Sequence, residues 1–119
     1  MSKKILIIDD EPDVMLMLVY RLKAQGLEVI TAASAQAGID LAIRECPDLI
    51  LLDYRLPDMR AEDVAQRIRS FKKLSQVKII LITASTSEIE KKARDCQCID
   101  SISKPIDADI LLDKIAKYL

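Results

Sequence analysis

Five apolar runs of strand length, each followed by a helical pattern, constrain the fold of this chain more than any other feature. The runs cover residues 4–8, 27–31, 48–52, 77–82 and 99–102. Continuous apolarity, as in the first, third and fourth runs, is typical of parallel strands covered on both faces, whereas the less apolar second run suits a sheet edge. With right-handed crossovers, the alternation predicts one α/β domain, residues 1–119, with no separate output domain.

Helical periodicity fills the intervals between these runs. The predicted helices cover residues 12–25, 35–45, 61–71, 85–95 and 108–119. Pro12 suits the first turn of the first helix and Gly26 ends it. Gly38 weakens the second helix through its low helix propensity. The third helix is predicted to bury Phe71 and the last helix Leu119, whereas the fourth has few apolar side chains to bury.

The composition excludes several classes of function. The 18 basic and 19 acidic residues nearly balance, which argues against direct binding of nucleic acid. The chain has no apolar stretch of membrane-spanning length and no signal-peptide pattern, so we expect no membrane contact and a cytoplasmic location. With no histidine and three cysteines outside any CxxC pair, it lacks His-dependent nucleophilic machinery and a zinc signature. Its two glycines form no phosphate-binding glycine loop.

Polar side chains mark the ends of the predicted strands: Asp9 and Asp10, then Asp53, Thr83 and Lys104. The carboxyl ends of parallel strands share one edge of the sheet, which is where such folds bind ligands. Three carboxylates at one edge repel one another, and a hard divalent cation such as Mg²⁺ relieves that repulsion. Capping of the first helix could explain one aspartate of the adjacent pair, but it does not explain Asp53 at the neighbouring strand end.

Taken together, these residues form four motifs. They are Ile5-Leu6-Ile7-Ile8-Asp9-Asp10-Glu11-Pro12, Asp53-Tyr54-Arg55-Leu56-Pro57-Asp58-Met59, Thr83-Ala84 and Lys104-Pro105. In combination they resemble the receiver domain of two-component response regulators, including stand-alone chemotaxis-type receivers, along essentially the whole chain. The resemblance implies a flavodoxin-like, doubly wound (βα)5 fold with strand order 2-1-3-4-5 and helices on both faces of the sheet.

The resemblance also implies a role for each motif. Asp53 would accept a phosphoryl group from a partner histidine kinase, a histidine phosphotransfer protein or a small donor such as acetyl phosphate. Thr83 and Lys104 would contact the phosphoryl oxygens, and the switched surface would bind a downstream protein that the sequence does not identify. The cation would be Mg²⁺ or Mn²⁺, with Asp10 a direct ligand and Asp9 acting largely through water. The implied ligands are Asp9, Asp10, Asp53 and the backbone carbonyl of Arg55.

Each of these roles is also chemically reasonable in itself. Phosphoryl transfer needs charge neutralisation on the phosphoryl oxygens, which a cation, a lysine and a hydroxyl can supply. Because the chain lacks histidine, the donor must belong to another molecule. An aspartyl phosphate adds charge that could draw in Thr83 and Lys104, as a switch requires. In isolation, Thr83 could instead cap the helix beginning near Ser87, and Lys104 could be a solvated lysine before Pro105, a residue that also allows a cis peptide.

Departures from the receiver pattern cluster away from the phosphorylation residues. Ser101 stands where receivers usually carry an aromatic residue, Ala61 replaces a usual glycine, and Gln97-Cys98 replaces a usual Gly-Ala. The spacing from Thr83 to Lys104 also looks one residue short. The sequence therefore favours intact phosphorylation chemistry with signalling through a non-standard surface, in which a polar fourth helix takes part.

Three alternatives remain at the level of the sequence. The chain could be an unphosphorylated pseudo-receiver that serves as a docking module, or the excised receiver of a larger regulator or hybrid kinase. A phosphatase of the haloacid dehalogenase type would need a D-x-D pair, which Asp9-Asp10-Glu11 lacks. The expected activity is therefore not that of an enzyme, beyond self-catalysed phosphoryl transfer and autodephosphorylation.

Overall fold

A five-stranded parallel sheet organises the protein, in the order β2-β1-β3-β4-β5. The computed structural model describes residues 2–84 and 88–119. The strands are β1 (Lys4–Ile8), β2 (Glu28–Ala32), β3 (Leu49–Asp53), β4 (Lys78–Thr83) and β5 (Asp100–Ser103). The predicted flavodoxin-like topology is confirmed, and β2, which corresponds to the less apolar second run of the sequence, lies at an edge of the sheet as expected.

Helices cover both faces of this sheet. They are α1 (Pro12–Ala24), α2 (Ala35–Glu45), α3 (Ala61–Arg69), α4 (Ile89–Asp95) and α5 (Ala108–Tyr118), with a 3-10 turn at Lys72–Leu74. The apolar sides of α1 and α5 pack in one core cluster, and those of α2, α3 and α4 pack in the other. In the described part of the chain, no helix combines the length and the apolarity that crossing a bilayer requires.

Two side chains predicted to be buried lie at the surface. Phe71 is 44% exposed because α3 ends at Arg69, so that Phe71 lies on the connection to the 3-10 turn. Leu119 is 36% exposed at the end of the chain, beyond the last residue of α5. Both predictions extended a helical period past the end of its helix. The predicted fourth helix began at Ser85, and residues 85–87 lie outside the described residues.

Gly38 allows α2 to approach β1 closely. A Cβ atom at this position would lie 2.5 Å from Cδ1 of Ile8, a fully buried side chain that has little room to move. The glycine that weakens the helix in the sequence is therefore required by the packing of that helix against the sheet.

Asp58 joins the loop after β3 to the start of α2. Its two carboxylate oxygens accept hydrogen bonds from the backbone N–H groups of Ala35 and Gln36, at 2.9 and 3.1 Å. These bonds satisfy donors that the first turn of a helix otherwise leaves unpaired, and they hold the pKa of Asp58 below its ordinary value. The loop that follows Asp53 is thus anchored to a second element.

Gln97 ends α4 in a left-handed conformation, with φ of 55°. The N–H of Cys98 bonds to the carbonyl of Ala93, and the N–H of Gln97 bonds to that of Arg94, at 2.8 and 2.9 Å. This pair of bonds is the Schellman arrangement, in which glycine is favoured because a Cβ atom is strained at positive φ. The departure Gln97-Cys98 noted in the sequence is therefore a strained helix end.

Replacing Gln97 with glycine should stabilise the fold by about 1 kcal/mol, because it removes the left-handed strain without removing a buried contact. Urea unfolding followed by circular dichroism measures the change. Gln66→Gly, at an exposed position inside α3, is the matched control and should destabilise by about 1 kcal/mol. Equal destabilisation by both substitutions would contradict the assignment of strain to Gln97.

Candidate functional site

The predicted site residues meet at the carboxyl edge of the sheet. Asp9 and Asp10 follow β1, and Asp53 ends the neighbouring strand β3. The chain leaves β1 for β2 on one side and returns to β3 on the other, so the strand order reverses between β1 and β3. Crevices at such reversal points are the usual ligand sites of doubly wound sheets.

Three carboxylates form an acidic cluster at this point. One oxygen from each of Asp9, Asp10 and Asp53 lies within 4.8 Å of the other two. Asp9 is fully buried and Asp53 is 4% exposed, whereas Asp10 is exposed. Oδ1 of Asp9 accepts a hydrogen bond from the N–H of Glu11 at 2.9 Å, and Oδ1 of Asp53 accepts one from the N–H of Arg55 at 3.2 Å.

Burial and like charge make Asp53 a weaker acid than usual. Desolvation raises the pKa of Asp53 to about 6, and the neighbouring charge of Asp9 acts in the same direction. The hydrogen bond from Arg55 and the ammonium of Lys104 partly offset this increase. At neutral pH the carboxylate of Asp53 is mostly ionised, and its buried position next to Asp9 favours a positively charged partner.

Lys104, which follows β5, supplies one such partner. Its Nζ lies 3.1 Å from Oδ2 of Asp9, 3.3 Å from Oδ2 of Asp53 and 2.6 Å from Oε1 of Glu11. Burial lowers the pKa of Lys104, but the hydrogen bond to Glu11 and the negative charges of Asp9 and Asp53 outweigh that effect, and the pKa lies above its ordinary value. One ammonium group therefore joins three carboxylates.

Glu11 is the residue of this constellation to which sequence reasoning gave no role. It belongs to the first motif, but its side chain lies outside the acidic cluster and reaches Lys104 from across the chain, 93 positions away. The available signal was an acidic residue at a helix start, which is ordinarily explained by capping.

Thr83 joins the site through the backbone of β4. Its side chain is fully buried, and its carbonyl accepts a hydrogen bond from the N–H of Lys104 at 2.8 Å. It follows Ile82, the partner of Asp53 in the register between β3 and β4. The alternative in which Thr83 caps a helix near Ser87 falls on residues outside the described part of the chain.

The strand that precedes Lys104 is held by α5. Asp100 accepts hydrogen bonds from Nζ of Lys114 at 2.9 Å and from the hydroxyl of Tyr118 at 2.8 Å. Lys114 also donates to the carbonyl of Ser101 at 2.7 Å. Ser101 itself is half-buried and lines a cleft of about 340 Å³ between β5 and α5. The peptide bond between Lys104 and Pro105 is cis, a geometry that the proline allows.

The acidic cluster has the chemistry of a magnesium site. Its donors are carboxylate oxygens, the ligands that Mg²⁺ prefers, and their mutual repulsion favours a cation. Among the described residues, Oδ2 of Asp9 is a buried oxygen that accepts no hydrogen bond of good geometry, although Lys104 lies 3.1 Å away. A buried carboxylate oxygen with unused acceptor capacity suits a site that takes a further positive group.

Comparisons with known proteins agree with the fold. The sporulation initiation phosphotransferase F of Bacillus subtilis is 28% identical over 120 residues, which is 100% of this chain and 95% of that protein. The response regulator protein TrrA of Thermotoga maritima, solved in complex with Mg²⁺-BeF, has a TM-score of 0.87 and 29% identity, with 99% of this chain and 100% of that chain covered.

A third similar structure is the co-crystal structure of the Saccharomyces cerevisiae histidine phosphotransfer signaling protein Ypd1 with the receiver domain of its downstream response regulator Ssk1. Its TM-score is 0.89 at 25% identity, and the match covers 98% of this chain and 88% of that chain. The family model of the response regulator receiver domain matches residues 5–116. The chain therefore belongs to the family of response regulator receiver domains.

Proposed function

We propose that this chain, acting as one receiver module over residues 1–119, is a phosphorelay switch whose Asp53 accepts a phosphoryl group. The observation that carries the proposal is the state of Asp53: a buried, weakly acidic carboxylate in an acidic cluster, with the ammonium of Lys104 3.3 Å away. A buried carboxylate is stabilised by positive charge close to it, and the proposed reaction brings a cation to the same site.

In the proposed reaction, an oxygen of Asp53 attacks the phosphorus of a donor. The bond from phosphorus to that oxygen forms while the bond to the donor breaks, and the donor leaves as imidazole or, with acetyl phosphate, as acetate. Asp9, Asp10, Asp53 and the backbone carbonyl of Arg55 would hold Mg²⁺ or Mn²⁺. The cation would neutralise charge on the carboxylates and on the phosphoryl oxygens.

Lys104 and Thr83 complete the proposed chemistry. The ammonium of Lys104 already lies beside Asp53, so it can pair with phosphoryl oxygens placed there. The hydroxyl of Thr83 is the proposed second donor, and a change in its position would carry the switch to the surface that binds the downstream protein. Attack of water on the phosphorus would release phosphate and restore the carboxylate of Asp53.

The relatives support the choice of donor and cation. The co-crystal structure of Ypd1 with the Ssk1 receiver domain pairs a receiver with a histidine phosphotransfer protein, and the TrrA complex contains Mg²⁺-BeF. The name of the Bacillus subtilis relative, a phosphotransferase, is also consistent with phosphoryl transfer. We therefore propose a histidine kinase or a histidine phosphotransfer protein as the donor.

Incubation with acetyl phosphate and Mg²⁺ should add the mass of one phosphoryl group to the wild-type chain, as measured by intact-mass spectrometry. Asp53→Asn should abolish the addition, because an amide cannot attack the donor as a carboxylate does. Asp40→Asn, which changes an exposed aspartate on α2, is the matched control and should be phosphorylated like the wild type. An unmodified wild type would favour the pseudo-receiver alternative, and modification that persists in Asp53→Asn would place the acceptor elsewhere.

Chelation by EDTA should abolish the same mass addition, since the acidic cluster then keeps its full repulsion. Mg²⁺ or Mn²⁺ in excess should restore it. Restoration should weaken as the pH falls below about 6, where protons compete for Asp53. Phosphorylation at an undiminished rate in EDTA would contradict the metal site.

The stability of the cation-free protein should depend on the charge of Asp53. Folding raises the pKa of Asp53 from 3.8 to about 6, so the folded state binds the proton of this carboxyl group more tightly than the unfolded state does. The stability that protonated Asp53 contributes is therefore fully present below pH 3.8 and is lost as the pH rises through 6. Asp53→Asn should therefore exceed the wild type in stability at pH 8 by up to about 3 kcal/mol, with the difference vanishing near pH 4. Urea unfolding at both pH values measures this, and Asp40→Asn should show no such pH dependence.

A further inference from the structure

The side chain of Glu11 does not cap the helix that follows it. Glu11 is the N-cap residue of α1, but its side chain accepts no hydrogen bond from the first turn of that helix. Its Oε1 instead lies 2.6 Å from Nζ of Lys104. The side chain is thus committed to the lysine of the site rather than to its own helix.

Glu11 differs from the other two carboxylates that contact Lys104. Its contact is the shortest of the three, at 2.6 Å against 3.1 Å for Asp9 and 3.3 Å for Asp53. Its side chain is 57% exposed, whereas those of Asp9 and Asp53 are buried. It also lies outside the acidic cluster. A cation bound to that cluster would weaken the attraction of Asp9 and Asp53 for Lys104, but it would leave the attraction of Glu11 largely intact.

Building on the proposed function, we propose that Glu11 is a positioning residue that restrains the ammonium of Lys104 and so limits how fully Lys104 engages a phosphoryl group on Asp53. An ammonium group has three donors, but their directions are fixed relative to one another, so a short bond to Glu11 constrains the others. Full pairing with phosphoryl oxygens requires Lys104 to loosen that bond. Glu11 therefore sets the balance between the resting and the phosphorylated arrangement of the site.

Glu11→Gln tests this inference, because the amide keeps the shape of the side chain and removes its charge. Lys104 should then be more available, and phosphorylation by acetyl phosphate with Mg²⁺ should be about two- to five-fold faster, the range expected for losing a partly exposed ion pair. Calorimetric titration with beryllium fluoride in Mg²⁺ should show affinity raised by a similar factor. Glu11→Asp, with a shorter side chain and the same charge, should give a smaller change in the same direction.

A double-mutant cycle separates positioning of Lys104 from simple repulsion of anionic donors by Glu11. In a Lys104→Met background, positioning predicts that Glu11→Gln changes neither the rate nor the affinity, because the group it acts on is absent. Repulsion predicts the same increase in both backgrounds, and that result would overturn the inference. Asp13→Asn, which removes an equal charge from an exposed residue on the same cleft, should leave both quantities within two-fold of wild type.

The outcomes also separate this inference from the proposed function. A wild-type chain that neither takes a phosphoryl group nor binds beryllium fluoride would remove the proposed function and this inference with it. A wild type that does both, with Glu11→Gln unchanged or slower, would overturn the role of Glu11 alone. Thermal unfolding of Glu11→Gln should match the wild type closely, since the side chain is more than half exposed.

Discussion

The repulsion among carboxylates at the ends of β1 and β3 is the constraint on which the rest of the site depends. Asp9 and Asp53 are buried there because their strands are neighbours at the centre of the sheet. Two buried charges of one sign are costly unless positive charge is close by. Lys104 meets part of that requirement, and the repulsion that remains makes the site suited to a further positive charge.

The surrounding fold keeps this unfavourable group of charges in place. The loop after Asp53 is fixed to α2 through Asp58, and β5, which leads to Lys104, is fixed to α5 through Asp100. Neither set of hydrogen bonds involves the acidic cluster, so contacts outside the cluster offset the free-energy cost of bringing its charges together. These contacts keep the carboxylates close together, so the site favours a positively charged group.

Much of the fold followed from local patterns, and the exceptions have a common cause. Strand and helix positions were predicted closely because apolar periodicity reports directly on which face is covered. Phe71 and Leu119 were misjudged because periodicity does not show where a helix ends. The sequence marks Gly38 only as a residue of low helix propensity and Gln97 only as a departure from the receiver pattern. The structure shows that Gly38 lets α2 approach β1 closely and that Gln97 ends α4 in a left-handed conformation.

The sequence by itself determined the alternation of strands and helices and the motifs at the strand ends. Only the tertiary structure decided that Glu11 would contact Lys104 across 93 positions, and that Asp53 would lie where burial raises its pKa to about 6. The physical reason is that distances between residues remote in the chain, and the dielectric around them, follow from how the helices pack on the sheet. Neither these distances nor the local dielectric can be inferred from the local pattern of residue types.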